Sequence, residues 1–424
     1  MEFEKTENKK ISETVYAGTH RSGLKIYLVP KKFKKSYACF ATKYGSIDNI
    51  FTGAGEDKPS EVPDGIAHFL EHKLFEKPDG GNAFDDYSKT GGNANAYTSF
   101  NLTSYLFSST SRFYENFKIL LETVTQPYFT DENVAKEQGI IAQEIKMYED
   151  NPDWRVFFNL LESFYHNHPV RRDIAGTVES ISKIDKELLF KCYNTFYHPS
   201  NMVLFVAGDI DIDKIVEMVD QHVEKSNGRA DVERVYPKEP AGVSKSLSEQ
   251  KLSVAAPIFL MGFKDDDVGY DGLRLLKKEI EMDILLEMLL GRSGEVYEEL
   301  YETGLINDSF SKEFTGEKDY AYSAFGGESG DPIATRDVIM KGIKNFTPTN
   351  ERFSLARGVI EGRFLRLFNG IERMGNNFVS NILNDINILH YPEVCEKISL
   401  QDIAARFEQH FKEDNMAISI IRPY

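Results

Sequence analysis

The feature that most constrains the fold is an internal repeat. The segment IDKELLFKCYNTFYHPSNMVLFV begins at Ile184, and the similar segment ISLQDIAARFEQHFKEDNMAISI begins at Ile398 and aligns with it without a gap. Asp185 and Ser399 both fall at the start of the helical pattern, where a short oxygen-bearing side chain accepts hydrogen bonds from free backbone amides. Each segment therefore predicts a capped helix that leads into a strand. The offset between the two segments is close to half of the 424 residues, which indicates a duplicated domain.

The remaining periodicity predicts an α+β protein made of two copies of one α/β unit. The clearest segments are strands at 24–29 and 37–42 and helices at 111–125, 131–149, 153–167 and 185–197. The segment 226–245 is polar and contains Pro and Gly, which is typical of a linker. We therefore predict domains at 1–225 and 246–424.

The composition excludes several classes of function. The net charge of −17 argues against a nucleic-acid partner, because phosphates require a basic surface. The amino terminus has no apolar segment typical of a signal peptide, and no run of about 18 apolar residues occurs, so we expect no membrane span and a cytoplasmic protein. Three cysteines without CxxC spacing predict neither a disulfide framework nor a thiolate metal site.

The segment IAHFLEHKLF, residues 66–75, carries the most distinctive chemistry. His68 and His72 are four residues apart, so on a helix they project from one face and can bind one zinc ion. Glu71 is placed to take a proton from a water that the metal acidifies. This HxxEH pattern is the inverse of the HExxH motif of thermolysin. The alternative interpretation is a packed helix surface with no metal.

A catalytic zinc also needs a third protein ligand, and the candidates lie downstream in the sequence. Glu137 and Glu144 lie seven residues apart on one stripe of the helix predicted at 131–149, so both can face the same site. Spacing alone does not select Glu144, because Glu132, Glu149 and Glu162 are equally acidic and helical glutamates are normally solvated.

With these motifs the chain resembles the pitrilysin, insulin-degrading enzyme and mitochondrial processing peptidase family of zinc peptidases, in particular its small two-domain bacterial members. The resemblance rests on HxxEH, on ExxxxxxE ending at Glu144, on GGNANAYTSFNLTSYLF from Gly91 and on HPVRRDIAGTVESI from His168. It implies that His68, His72 and Glu144 bind Zn²⁺, that Glu71 is the general base and that Glu137 supports the site. It also implies two tandem domains with mostly antiparallel sheets that form half of a clamshell.

The same resemblance assigns a substrate strand. Asn95, Ala96 and Tyr97 would lie on an edge strand beside the zinc, where an extended peptide adds by main-chain hydrogen bonds. The alternative for this segment is an ordinary hairpin opened by the Gly-Gly turn.

The chain departs from the family in two places. When His68 and His72 are shifted by the offset of the repeat, the corresponding positions hold Met282 and Leu286, which predicts one metal site per chain. Where active members place an arginine and a tyrosine that hold the substrate, this chain has Tyr301 and then Asn307 or Asp308. We therefore expect a heterodimer with a related chain that supplies this Arg/Tyr clamp, with a homodimer as the alternative.

The predicted function is a zinc-dependent metalloendopeptidase that cleaves peptides or flexible leader segments inside a closed chamber. The alternative is a non-catalytic structural or interaction subunit of the same family. Ligand type does not distinguish zinc from manganese or cobalt.

Overall fold

The computed structural model describes residues 1–224 and 230–424. The strands are β1 Glu4–Asn8, β2 Glu13–Thr19, β3 Lys25–Pro30, β4 Ser36–Thr42, β5 Ile50–Thr52, β6 Ser60–Glu61, β7 Asn93–Thr98, β8 Thr103–Ser109, β9 Met202–Gly208, β10 Glu233–Arg234, β11 Leu247–Lys251, β12 Ile258–Asp265, β13 Ser311–Gly316, β14 Ala321–Glu328 and β15 Met416–Arg422. The helices are α1 Ile66–Lys73, α2 Ala83–Thr90, α3 Phe113–Thr125, α4 Asp131–Glu149, α5 Pro152–Phe164, α6 Val178–Ile181, α7 Lys186–Phe196, α8 Ile212–His222, α9 Gly272–Leu290, α10 Glu295–Glu302, α11 Pro332–Lys344, α12 Asn350–Leu367, α13 Ile371–Leu383, α14 Tyr391–Lys397 and α15 Leu400–His410.

The chain folds into two compact units. Unit 1 comprises Met1–Ile145, Asp173–Val235 and Leu367–Leu383. Unit 2 comprises Lys146–Arg172, Tyr236–Arg366 and Asn384–Tyr424. The predicted linker at 226–245 contains the change between units at Val235, and its residues 226–229 lie outside the described part of the chain.

Unit 1 is built on a seven-stranded sheet in the order β1-β2-β3-β9-β4-β8-β7. Every pairing in this sheet is antiparallel except that of β3 with β9. All residues of β4 and β9 are buried. The two strands lie in the middle of the sheet, and their largely apolar sequences are typical of strands that are covered on both faces. Strand β7 forms one edge of the sheet, next to α1.

Unit 2 repeats this topology and confirms the duplication. Its sheet has the order β11-β15-β12-β14-β13, which matches β3-β9-β4-β8-β7 of unit 1 strand for strand. Its single parallel pair, β11 with β15, corresponds to β3 with β9. Helix α15 follows α7, and strand β15 follows β9, at the offset that the repeat predicts. Asp185 and Ser399 cap the two helices as expected.

Two helices, α5 and α13, each belong to the unit formed mainly by the other half of the sequence. Helix α5 follows α4 directly but packs on β12 and β15 of unit 2. Its counterpart α13, in the second half of the sequence, packs on β4 and β9 of unit 1. The apolar residues of α13 recur at three- and four-residue intervals from Ile371 to Leu383, so one face is buried on the sheet. Each unit therefore contains one helix from the other half of the sequence.

The predicted class, α+β with two tandem homologous domains and largely antiparallel sheets, is confirmed. The predicted strands correspond to β3 and β4, and the predicted helices to α3, α4, α5 and α7. Among the described residues, every helix is too short or too polar to cross a bilayer.

Candidate metal centre

Helix α1 supplies three of the predicted site residues, His68, Glu71 and His72. The chain enters this helix through Gly65, whose φ of 89° lies in the left-handed region. A side chain there would place its Cβ 2.3 Å from the carbonyl oxygen of Ala175, so only glycine fits. His68 and His72 follow one turn apart, with ring centroids 4.5 Å from each other. Burial lowers the pKa of His68 to about 3, which keeps this imidazole in the neutral form that binds metals.

Glu144 of α4 brings the third donor to the histidines. Its carboxylate oxygens lie 3.7 Å from Nε2 of His68 and 3.5 Å from Nε2 of His72. These separations are long for hydrogen bonds, whereas two ligands about 2.1 Å from one tetrahedral ion lie about 3.4 Å apart. The donor atoms of the three residues all lie within 4.8 Å of one another, and no second group of this kind occurs among the described residues. The set of two imidazoles and one carboxylate therefore fits a zinc ion.

Glu137, one of the two glutamates predicted on this stripe, holds His72. Its Oε1 lies 3.1 Å from Nδ1 of His72, which leaves Nε2 directed toward Glu144. Burial lowers the pKa of His72, but the hydrogen bond to Glu137 and the surrounding carboxylates raise it above the ordinary value. Burial alone would raise the pKa of Glu137. The hydrogen bond and the charge of His72 outweigh this effect, so the pKa of Glu137 is lowered. Binding of a metal at His72 therefore competes with a proton.

Glu71, the predicted general base, is 8% exposed and lies on the same helix as the two histidines. Burial raises its pKa to about 7, against the opposing effects of His72 and of a hydrogen bond from Thr98. The Thr98 hydroxyl donates to Oε2 of Glu71 at 3.0 Å. A carboxyl group with a pKa near 7 can both accept and release a proton at neutral pH.

The three predicted substrate residues lie on β7, at the edge of the sheet. Asn95 is exposed, and Ala96 and Tyr97 are half-buried. Strand β7 pairs with β8 on one side, from Asn93 to Thr98, and its other side has no strand partner in the described sheet. The segment is therefore a hairpin whose first strand is the edge of the sheet, and the assignment of Asn95, Ala96 and Tyr97 to substrate binding stays a prediction. The structure brings this edge beside α1.

Two residues that contact the predicted site, Thr98 beside Glu71 and Lys73 beside Glu137, were not predicted from the sequence. Thr98 lies within the quoted GGNANAYTSF segment, so the signal was present as the residue that follows Tyr97. Lys73 follows His72 and is fully buried, with its ammonium 3.8 Å from Oε2 of Glu137. A lysine within an otherwise apolar helix end was the available signal.

Helix α9 of unit 2, which corresponds to α1 in the repeat, carries a cluster of ion pairs. Met282 and Leu286, which correspond to His68 and His72 in the repeat, are buried in α9. Nearby on the same helix, Glu287 pairs with Arg363 at 2.7 Å and with Lys312 at 3.0 Å.

The first of the two predicted clamp positions holds no arginine, and the second holds no tyrosine. Tyr301 on α10 is half exposed and stacks on Tyr297, with ring centroids 5.9 Å apart. Asn307 donates to Glu328, and Asp308 lies 3.6 Å from Arg292.

Comparisons with known proteins agree on one family. The family model described as Insulinase (Peptidase family M16) matches residues 49–178, and that of the Peptidase M16 inactive domain matches residues 183–349. An uncharacterized zinc protease, YmfH of Bacillus subtilis (strain 168), is 44% identical over 98% of both chains. The crystal structure of an M16-like peptidase from Alicyclobacillus acidocaldarius has a TM-score of 0.92 at 36% identity and covers 100% of this chain and 99% of that one. Pitrilysin shares the fold, with a TM-score of 0.77 at 13% identity, over 100% of this chain and 46% of its own.

Proposed function

Because the chain belongs to peptidase family M16, we propose that it is a zinc metalloendopeptidase that cleaves peptides or flexible leader segments. One observation carries this proposal: His68, His72 and Glu144 converge within 4.8 Å while Glu71 is held beside them. A chain that had lost catalysis would be free to lose any of these four residues. All four are present.

His68, His72 and Glu144 would hold the zinc ion. When bound, zinc acidifies a water molecule and polarises the carbonyl group of the peptide bond. Glu71 then accepts the proton of the attacking water and delivers it to the leaving amine, so one carboxylate serves as base and acid in turn. Thr98 fixes the direction of the Glu71 carboxylate through its hydrogen bond. Glu137 fixes the ring of His72.

The substrate would bind to β7 as an added strand. The open side of this strand can form main-chain hydrogen bonds with any extended peptide, and Asn95, Ala96 and Tyr97 would line it. A folded protein offers few extended segments, so peptides and flexible leader segments are the expected substrates.

A partner chain would complete the enzyme. This chain corresponds to 46% of pitrilysin, and its clamp positions hold Tyr301, Asn307 and Asp308. We therefore favour a cytoplasmic heterodimer whose second chain supplies the arginine and tyrosine and closes a chamber around the substrate. Full peptidase activity from a pure homodimer would contradict this part of the proposal.

The Glu71→Gln substitution tests the reaction. The variant should retain the zinc content of the wild type and lose about 100-fold or more of its turnover, because a positioned acid–base group contributes about 10² to 10⁴ in rate. Zinc is measured by plasma mass spectrometry and turnover with a quenched fluorescent peptide, with and without the related chain that co-purifies. Glu132→Gln, on the exposed side of α4, is the matched control. Wild-type turnover in Glu71→Gln would exclude Glu71 as the base.

The alternative, a non-catalytic structural subunit, makes a different prediction. Such a subunit needs no metal, so purified wild-type protein without zinc and without turnover in either preparation would favour it. The match to an inactive domain covers residues 183–349, which do not include HxxEH, and it does not distinguish the two functions.

A further inference from the structure

Lys73 is a cation buried at the end of the helix that carries the histidines. Its side chain is fully buried, whereas lysine is almost never fully buried unless it is paired. An uncompensated charge in the interior is costly, so each partner of this ammonium group matters. Three oxygen atoms surround it. They are Oε2 of Glu76 at 2.6 Å, the backbone carbonyl oxygen of Asn133 at 3.2 Å and Oε2 of Glu137 at 3.8 Å.

These partners connect α1 to α4. Asn133 and Glu137 are one turn apart on α4, so the ammonium group contacts two successive turns of that helix. Helix α1 supplies the two imidazoles and α4 supplies Glu144, so the relative placement of these helices sets the distances between the donors. Lys73 therefore anchors α1 to α4 close to the donor atoms of both helices.

The two oxygens of Glu137 have separate partners. Oε1 bonds to Nδ1 of His72, and Oε2 faces Nζ of Lys73. The orientation of this carboxylate is thus fixed from both sides, and through it the rotation of the His72 ring. Because only one ring orientation directs Nε2 toward Glu144, the position of the ammonium group bears on the geometry of the donor set.

We propose that Lys73 is a positioning residue that acts through Glu137 to hold His72 ready to bind the metal, an inference that rests on the proposed function. Removing the ammonium group leaves Glu137 free to rotate and separates the end of α1 from α4. The three donors are then less well ordered before binding, so zinc affinity falls and the coordination geometry changes.

The experiment measures metal binding and not peptide cleavage. Apo-protein is titrated with Zn²⁺ against a chelator, and with Co²⁺, whose absorption bands report the arrangement of its ligands. Lys73→Met should bind Zn²⁺ roughly 10- to 100-fold more weakly, the loss typical of groups that orient a metal ligand. Its Co²⁺ spectrum should differ from that of the wild type. Lys73→Arg, which retains the cation, should recover part of the affinity.

Two further variants separate positioning from general destabilisation. Lys77→Met removes a lysine that pairs with Asp86 away from the histidines, and it should leave the affinity and spectrum unchanged. Lys73→Met combined with Glu76→Gln removes the closest charged pair as a unit, and it replaces the single variant if that variant does not fold. This double variant should show the same loss of affinity.

The outcomes distinguish the two proposals. Zinc affinity in Lys73→Met within about twofold of the wild type, with an unchanged Co²⁺ spectrum, would overturn the role of Lys73 and leave the proposed function intact. The absence of Zn²⁺ binding in the wild type would instead overturn the proposed function.

Discussion

Removing the side chain of Phe378 is expected to destabilise unit 1, although this residue lies far along the second half of the sequence. Phe378 on α13 is 2% exposed, and its ring centroid lies 5.4 Å from that of Phe205 on β9. Deleting a buried phenylalanine ring costs about 3 to 5 kcal/mol of unfolding free energy, because the free energy gained by burying the ring is lost and a cavity is left behind. Since about 1.4 kcal/mol is a factor of ten, the opening of unit 1 should become more frequent by a factor on the order of 100 or more.

Hydrogen exchange measured by mass spectrometry tests this expectation. In Phe378→Ala, the backbone amides of β4 and β9 should exchange on the order of 100-fold faster, while those of β12 and β15 should change far less. Phe353→Ala removes a buried ring from α12 of unit 2 and should produce the opposite pattern. Leu355→Ala, at a side chain that is 55% exposed, should change neither. Acceleration confined to unit 2, or equal in both units, would refute the reasoning.

Three further predictions concern single side chains. Burial raises the pKa of Asp283 to about 7, so the folded chain retains this proton more tightly than the unfolded chain, where the pKa is about 3.9. The contribution of this protonated carboxyl group to stability is complete below about pH 4 and is lost as the pH rises to 7. In Asp283→Asn the urea midpoint should therefore fall less steeply between about pH 4 and pH 7, and the same pH dependence as in the wild type would contradict this. Thr98→Val should reduce kcat roughly tenfold or more at constant zinc content, because the hydrogen bond to the Glu71 carboxylate is worth about 1.5 to 3 kcal/mol, and wild-type kcat would show that this bond is dispensable. Glu144→Ala should purify without stoichiometric zinc while Glu132→Ala retains it, and equal zinc in both would exclude Glu144 as a ligand.

Local signals made the repeat predictable. A helix cap followed by an apolar period lies within about 20 residues, and both copies of that signal survive around Asp185 and Ser399. The exchange of α5 and α13 could not be predicted in this way. An amphipathic pattern shows that one face of a helix is buried, but it does not identify the sheet that buries it.

The candidate site was predictable to different depths. Helical periodicity alone placed His68, His72 and Glu71 on one face, but it left several glutamates open as the third ligand. The family resemblance pointed to Glu144, and the placement of α4 agrees with it, since the Glu144 carboxylate lies 3.7 Å from His68 and 3.5 Å from His72. The part played by Lys73 depends on its burial and on the position of its Nζ atom, neither of which the sequence gives.

The exchanged helix also bears on the order in which the protein can mature during synthesis. Every proposed metal ligand has been translated once Glu144 is made, but the helix that covers β4 and β9 ends at Leu383, in the second half of the sequence. At about 5 to 20 residues per second, the ribosome needs roughly 10 to 50 s for that interval. During this time β4 and, once translated, β9 lack the helix that covers them, so their apolar side chains on that face stay open to chaperones after all the zinc donors of α1 and α4 have been made.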